Sequence, residues 1–129
     1  MTTAARIMGI VLIVAGTAHF ISPRTFDAIV PSYLPGSART YTYLSGLAEI
    51  AIGIALLLPA TVSFANTPVR LIAAYAALAL FIAVFPANIQ MAIDWRNRPA
   101  PWPQIAYSRL PLQLGLLYWA YIVIKAFKR

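Results

Sequence analysis

The sequence has no cysteine, a single histidine and only three acidic residues. Without cysteine there are no disulfides, no thiol relay, no thiolate-held zinc and no iron–sulfur cluster. One histidine excludes a bis-histidine haem, and His19 with Met91 as axial ligands is a remote alternative. His19 and Glu49 alone give zinc too few ligands. No serine has a histidine and an acid at a recognisable triad spacing, and no glycine-rich loop is present to cradle a phosphate. Charge of either sign is scarce, at 10% of 129 residues against 61% hydrophobic. A soluble domain of this size exposes more surface than so few charges can cover, which points to an integral membrane protein. The length suits one compact bundle over residues 1–129 and leaves nothing for a second domain.

What charge there is leans positive, with ten Lys/Arg and a formal net charge of +7. These residues stand singly at the ends of apolar runs and form no patch. That arrangement fits anchoring at a lipid bilayer and excludes nucleic acid as a partner.

Four apolar runs predict four helical spans, at about 6–21, 41–60, 69–93 and 107–126. At 1.5 Å per residue they extend about 24–37 Å, against a hydrocarbon core of about 30 Å. Helices are required because lipid gives the backbone no hydrogen-bond partner. The first run also has a signal-peptide-like form, with Arg6, an apolar core, Gly16 and Ala18; we read it as a retained helix. The expected fold is all-α, a four-helix transmembrane bundle with a short interfacial helix between helices 1 and 2.

That short helix is expected after Ser22, a good N-cap, and Pro23, a good first helical residue. Phe26, Ile29 and Val30 would share its buried face, with Arg24 and Asp27 turned away. An irregular loop is the alternative for this segment. Residues 61–68 read as a short turn, with Pro68 opening the third helix. Residues 95–105, with three prolines and two tryptophans, read as an extended strap at headgroup level. Both elaborate connections fall opposite the termini, which suggests a working face. The positive-inside count ties, with Arg6, Arg70, Lys125, Lys128 and Arg129 on one side and Arg24, Arg39, Arg96, Arg98 and Arg109 on the other. An inward-facing Arg109 and the basic tail tip it toward cytoplasmic termini.

Ionisable groups within spans cost about 2.5–3.5 kcal/mol each on insertion scales, so they are candidate functional residues. Glu49 lies well inside the second run. Ser45, Gly46 and Gly53 share its face, letting neighbouring helices come close around the carboxyl group. Arg109 opens the fourth run and Gln113 follows one turn deeper. Asn88 ends the third run just past Pro86, which is expected to kink that helix, and His19 ends the first. Because the helices alternate direction, all five belong to one leaflet and can converge on one pocket. A Glu49–Arg109 pair tied to Asn88 and Gln113 is expected there. It would serve either as a polar clamp on the bundle or as part of a site. Ala73, Ala77, Ala83 and Ala87 read as a packing stripe.

The stretches "GTAHFISPRTFDAIVPSYLP", "YLSGLAEIAIGIALLLP", "FPANIQMAI" and "RLPLQLGLLYWA" together resemble the DoxX-like family of small four-helix membrane proteins. The resemblance covers nearly the whole chain. The family's characteristic positions fall on His19, Phe20, Pro23, Pro31, Pro35, Gly46, Glu49, Pro86, Asn88, Arg109 and Gln113. It implies association with membrane redox systems that use quinone; the wider group includes proteins that assist receptor assembly or cargo handling.

The expected function is therefore a redox-associated accessory subunit in a bacterial inner membrane, with an outer-leaflet pocket for a quinone or lipid. Its partners would be the bilayer and a membrane or peripheral redox protein. Glu49 would accept or relay a proton, Arg109 would hold Glu49 or an anionic head group, and His19 would exchange protons with water. Phe20, Phe26, Ser45, Gly46, Asn88 and Gln113 would contact the ligand. The alternative is a non-enzymatic membrane chaperone, or a protein that binds lipid or another small molecule. Glycine faces permit a homodimer without requiring one.

Overall fold

The computed structural model describes residues 3–128; Arg129, counted above in the basic tail, lies outside them. Five helices carry most of the chain: α1 Thr3–Ile21, α2 Pro23–Asp27, α3 Ala38–Leu56, α4 Val69–Trp95 and α5 Trp102–Phe127. The four long helices form a ring in which α1 packs on α3, α3 on α4, α4 on α5, and α5 closes back on α1. One end of the ring carries the termini. The other carries the α1–α3 and α4–α5 connections, and we call it the lid end.

Among the described residues three helices, α1, α4 and α5, are long and apolar enough to cross a membrane. The expectation of four such spans is met only in part. The α3 helix matches α1 in length, but it opens on Arg39, Thr40, Tyr41, Thr42 and Tyr43 and carries Glu49 further in. It also stops at Leu56, short of the expected 60, and turns through Leu57 and Leu58 toward Pro59. The ring's outer surface is itself apolar, exposing Ile10, Val14, Leu44, Leu47, Ile82, Leu112 and Leu114. In water such a belt would drive association; against lipid it needs no cover.

The connections differ from expectation in two places. Residues 61–68 form a hairpin, Ser63–Phe64 pairing antiparallel with Thr67–Pro68. Ala65 and Asn66 take left-handed backbone at its tip, which suits a two-residue turn between twisted strands. The tryptophan strap is shorter than expected, for α4 runs on to Trp95 and α5 begins at Trp102, leaving residues 96–101 as the non-helical link. Pro103 is tolerated there because the first helical turn needs no N–H donor. Trp95 and Trp102 meet edge to face at 5.9 Å, and Arg98 lies over the Trp95 ring. Pro86 sits inside an α4 that stays helical on both sides of it.

The α1–α3 seam is a double glycine contact. A Cβ on Gly16 would come within 2.5 Å of the Gly46 carbonyl, and one on Gly53 within 2.6 Å of the Gly9 carbonyl. Gly9 and Gly16 are spaced as Gly53 and Gly46 are, so two antiparallel backbones touch at matching heights. The terminus end is then filled solid by Ala5, Met8, Leu12, Leu56, Ala73, Ala74, Ala77, Ala120 and Val123. Trp119 adds a hydrogen bond from its indole N–H to the Ala4 carbonyl, 3.1 Å. The lid end has only a small cluster of its own, Met91, Ala92, Trp95 and Ala106, on the α4–α5 side.

Candidate functional site

Between these two packed regions the ring is hollow. A cavity of about 400 Å³ opens inside the lid end, walled by α1, α3, α4 and α5 and roofed by residues 26–34. The roof begins with α2, started by Ser22 and Pro23 as expected, although the Ser22 hydroxyl meets Thr25 Oγ1 and caps no backbone N–H. Phe26, Ile29 and Val30 face the cavity, as the amphipathic pattern requires. Asp27 is not turned away. Its carboxylate accepts a hydrogen bond from the Thr42 hydroxyl at 2.6 Å and another from Arg39 Nε at 2.9 Å. Thr42, only 2% exposed, and then the Arg39 guanidinium hold the Asp27 carboxyl below its ordinary pKa of 3.8. Asp27 thereby latches the lid onto α3.

The wall formed by α4 and α5 is a relay of hydrogen bonds. Arg109 Nε donates to Asn88 Oδ1 at 3.1 Å, and Asn88 Nδ2 donates to Gln113 Oε1 at 2.9 Å. Gln113 Nε2 in turn donates to the Phe81 carbonyl. Asn88 and Gln113 are buried and spend these groups on each other and on the backbone, so their role is to hold Arg109. The guanidinium makes no hydrogen bond through its two terminal nitrogens among the described residues. Arg109 is one of the residues that line the cavity.

The opposite wall carries His19 and Glu49. His19 Nδ1 lies 2.7 Å from the Ala15 carbonyl, one turn back on α1. A carbonyl can only accept, so that nitrogen bears a proton, and in the neutral ring the lone pair is on Nε2. Phe26 from the lid stacks on the imidazole, with centroids 3.8 Å apart and planes 20° from parallel. Glu49 Oε2 stands 3.2 Å from His19 Nδ1, close enough for charge to matter. Its alignment does not make a hydrogen bond, and Oε2 is buried without a partner.

The structure thus brings His19, Glu49, Asn88, Arg109 and Gln113 onto one cavity, with Ser45 and Phe26 beside them. The expected Glu49–Arg109 ion pair is absent among the described residues; the acid's neighbour is His19. The ring order explains this, since α3 touches α1 and α4 and does not pack on α5. Two expected ligand contacts lie elsewhere. Phe20 points outward and stacks on Tyr43 at 5.1 Å, because one residue past His19 turns the helix by about 100°. Gly46 is consumed by the α1 seam, where its missing Cβ makes room for His19 Cβ and the Gly16 carbonyl. The alanine stripe divides: Ala73 and Ala77 pack, whereas Ala83 and Ala87 line the cavity. Sequence reasoning missed Tyr41 and Thr42 on the α3 wall. Their signal was a polar opening turn on a helix otherwise apolar except at Ser45 and Glu49.

No group of three or more His, Cys, Asp or Glu side chains able to hold a metal occurs among the described residues. The chain matches a family described as a domain of unknown function, DUF8561, over residues 8–124, and belongs to it. No curated protein and no solved structure matches the chain.

Proposed function

We propose that this is a four-helix membrane protein that holds a small amphiphilic molecule in the lid-end cavity. The polar head would sit between the His19–Glu49 wall and Arg109, with the apolar tail along Leu80, Ala83 and Val84 of α4. The observation that carries this is that Arg109 and Glu49 line one hollow without pairing with each other, Arg109 bonded only through Nε and the Glu49 carboxylate accepting no hydrogen bond among the described residues. A clamp built only for stability would join the two charges, since an unpaired buried charge is a net cost.

In this reading α3 spans with its polar opening turn at the lid end, both termini are cytoplasmic, and the membrane is a bacterial inner membrane. The resemblance to DoxX-like proteins favours a quinone as the amphiphile and a redox complex as the partner. A lipid, or a partner's apolar helix, defines the non-redox version of the same site. The test is to purify the protein in mild detergent and identify by mass spectrometry what co-extracts. A quinone or lipid near one per chain is the expected result, lost in Glu49→Gln with the melting temperature of the ligand-stripped protein unchanged, and lost in Arg109→Met with some fall in stability because Asn88 Oδ1 gives up its donor. If nothing co-extracts and both variants only lower the melting temperature, the polar clamp is the whole account.

A further inference from the structure

The hydrogen-bonding ledger of the cavity narrows the head group. On the α1–α3 wall the open valences are acceptors. Glu49 lines the cavity with a carboxylate that accepts no hydrogen bond among the described residues, and a neutral His19 keeps its lone pair on Nε2 because Nδ1 donates to the Ala15 carbonyl. On the α4–α5 wall the open valences are donors, the terminal N–H groups of Arg109, since Asn88 and Gln113 satisfy one another and the Phe81 carbonyl. The space between is bounded mainly by apolar side chains, among them Phe26, Ile29, Leu80 and Val84. A head bearing carbonyl oxygens alone would answer Arg109 and set an acceptor against Glu49. A buried polar group left facing a group of its own kind keeps its full desolvation penalty.

We infer that the cavity selects an amphiphile whose head carries a hydroxyl donor toward Glu49 and His19 and an acceptor oxygen toward Arg109. The same skeleton with carbonyls alone is disfavoured. This rests on the cavity being an amphiphile site. Two sources share the chemistry, a phenolic head such as a hydroquinone and the free hydroxyls of a monoacylglycerol.

Two matched pairs of probes separate these sources. Full-length protein in lipid nanodiscs is titrated without oxygen with a decyl-substituted hydroquinone and its benzoquinone, which differ by two hydrogens. A second titration compares 1-decanoylglycerol with its diacetate, whose hydroxyls are esterified. In at least one pair the hydroxyl form should bind about tenfold to a hundredfold tighter, as expected of one hydrogen bond to an ionised or buried acceptor. That preference should shrink toward unity in Glu49→Gln, whose amide nitrogen donates, and fall in His19→Phe, which keeps the ring's stacking on Phe26. The pair that discriminates names the source. Equal binding within both pairs, or a preference that survives both substitutions, overturns the inference while leaving the amphiphile site standing. No binding of any of the four probes overturns the site itself and this inference with it.

Discussion

The two ends of the helical ring are built on the same four helices and to opposite purposes. The terminus end closes on alanine, leucine, methionine and valine, with Leu56 0% exposed among its largest side chains. The lid end keeps a cavity of about 400 Å³ and lines it with His19, Glu49, Arg109 and a relay of amides. A single seam, α1 on α3, runs through both. What changes along it is the third and fourth helix: α4 offers Ala73, Ala74 and Ala77 at one end and Leu80, Ala83, Val84 and Ala87 around a void at the other. Stability and ligand binding should therefore separate along the bundle axis.

The largest effect expected from breaking that contrast is at the solid end. Leu56→Ala opens a hole among fully packed neighbours and should cost about 2–5 kcal/mol, read as a lowered melting temperature in detergent. Glu49→Leu at the hollow end should leave the melting temperature unchanged or raise it, because an unpartnered buried carboxyl group gives way to an apolar one. Gly16→Val tests the shared seam. Its side chain would press on the Gly46 carbonyl and on Ile50, for a cost of about 1–3 kcal/mol, with the His19–Glu49 wall displaced as well.

Gln113→Leu probes the relay that holds Arg109. It strips a partner from Asn88 Nδ2 and from the Phe81 carbonyl, and should cost about 1–3 kcal/mol while also weakening ligand retention. Smallest is the lid latch. The Asp27 carboxyl is held below its ordinary value by Thr42 and then Arg39, so its contribution is present above about pH 4 and is lost as the pH falls through the lowered value. The protection of backbone amides across residues 23–37, corrected for the intrinsic pH dependence of exchange, should be steady from pH 7 to about 5 and fall below about 4. Asp27→Asn should exchange faster at neutral pH and lose that acid transition.

The sequence made α1, α4 and α5 legible because long apolar runs need helices in lipid, and it made α2 legible through Ser22, Pro23 and the Phe26–Ile29–Val30 face. The convergence of His19, Glu49, Asn88, Arg109 and Gln113 followed from alternating helix direction alone. Their pairing did not, because direction fixes which leaflet a residue occupies and leaves open which helices are neighbours. Hence Glu49 was matched to Arg109, across the ring, when the helix beside it is α1. Phe20 was misplaced although the helical period alone turns it away from His19. Asp27 was misread because a charge beside an amphipathic face is ordinarily solvated; its partners lie on α3, at Arg39 and Thr42.

Native mass spectrometry of the detergent-solubilised protein tests the central claim most directly, comparing the unmodified chain with Glu49→Gln and Leu56→Ala. The account predicts a bound small amphiphile on the unmodified chain, its loss in Glu49→Gln with no fall in the melting temperature of the ligand-stripped protein, and its retention in Leu56→Ala at a lowered melting temperature. An empty unmodified chain, or a Glu49→Gln variant that keeps its adduct while losing stability, would contradict it.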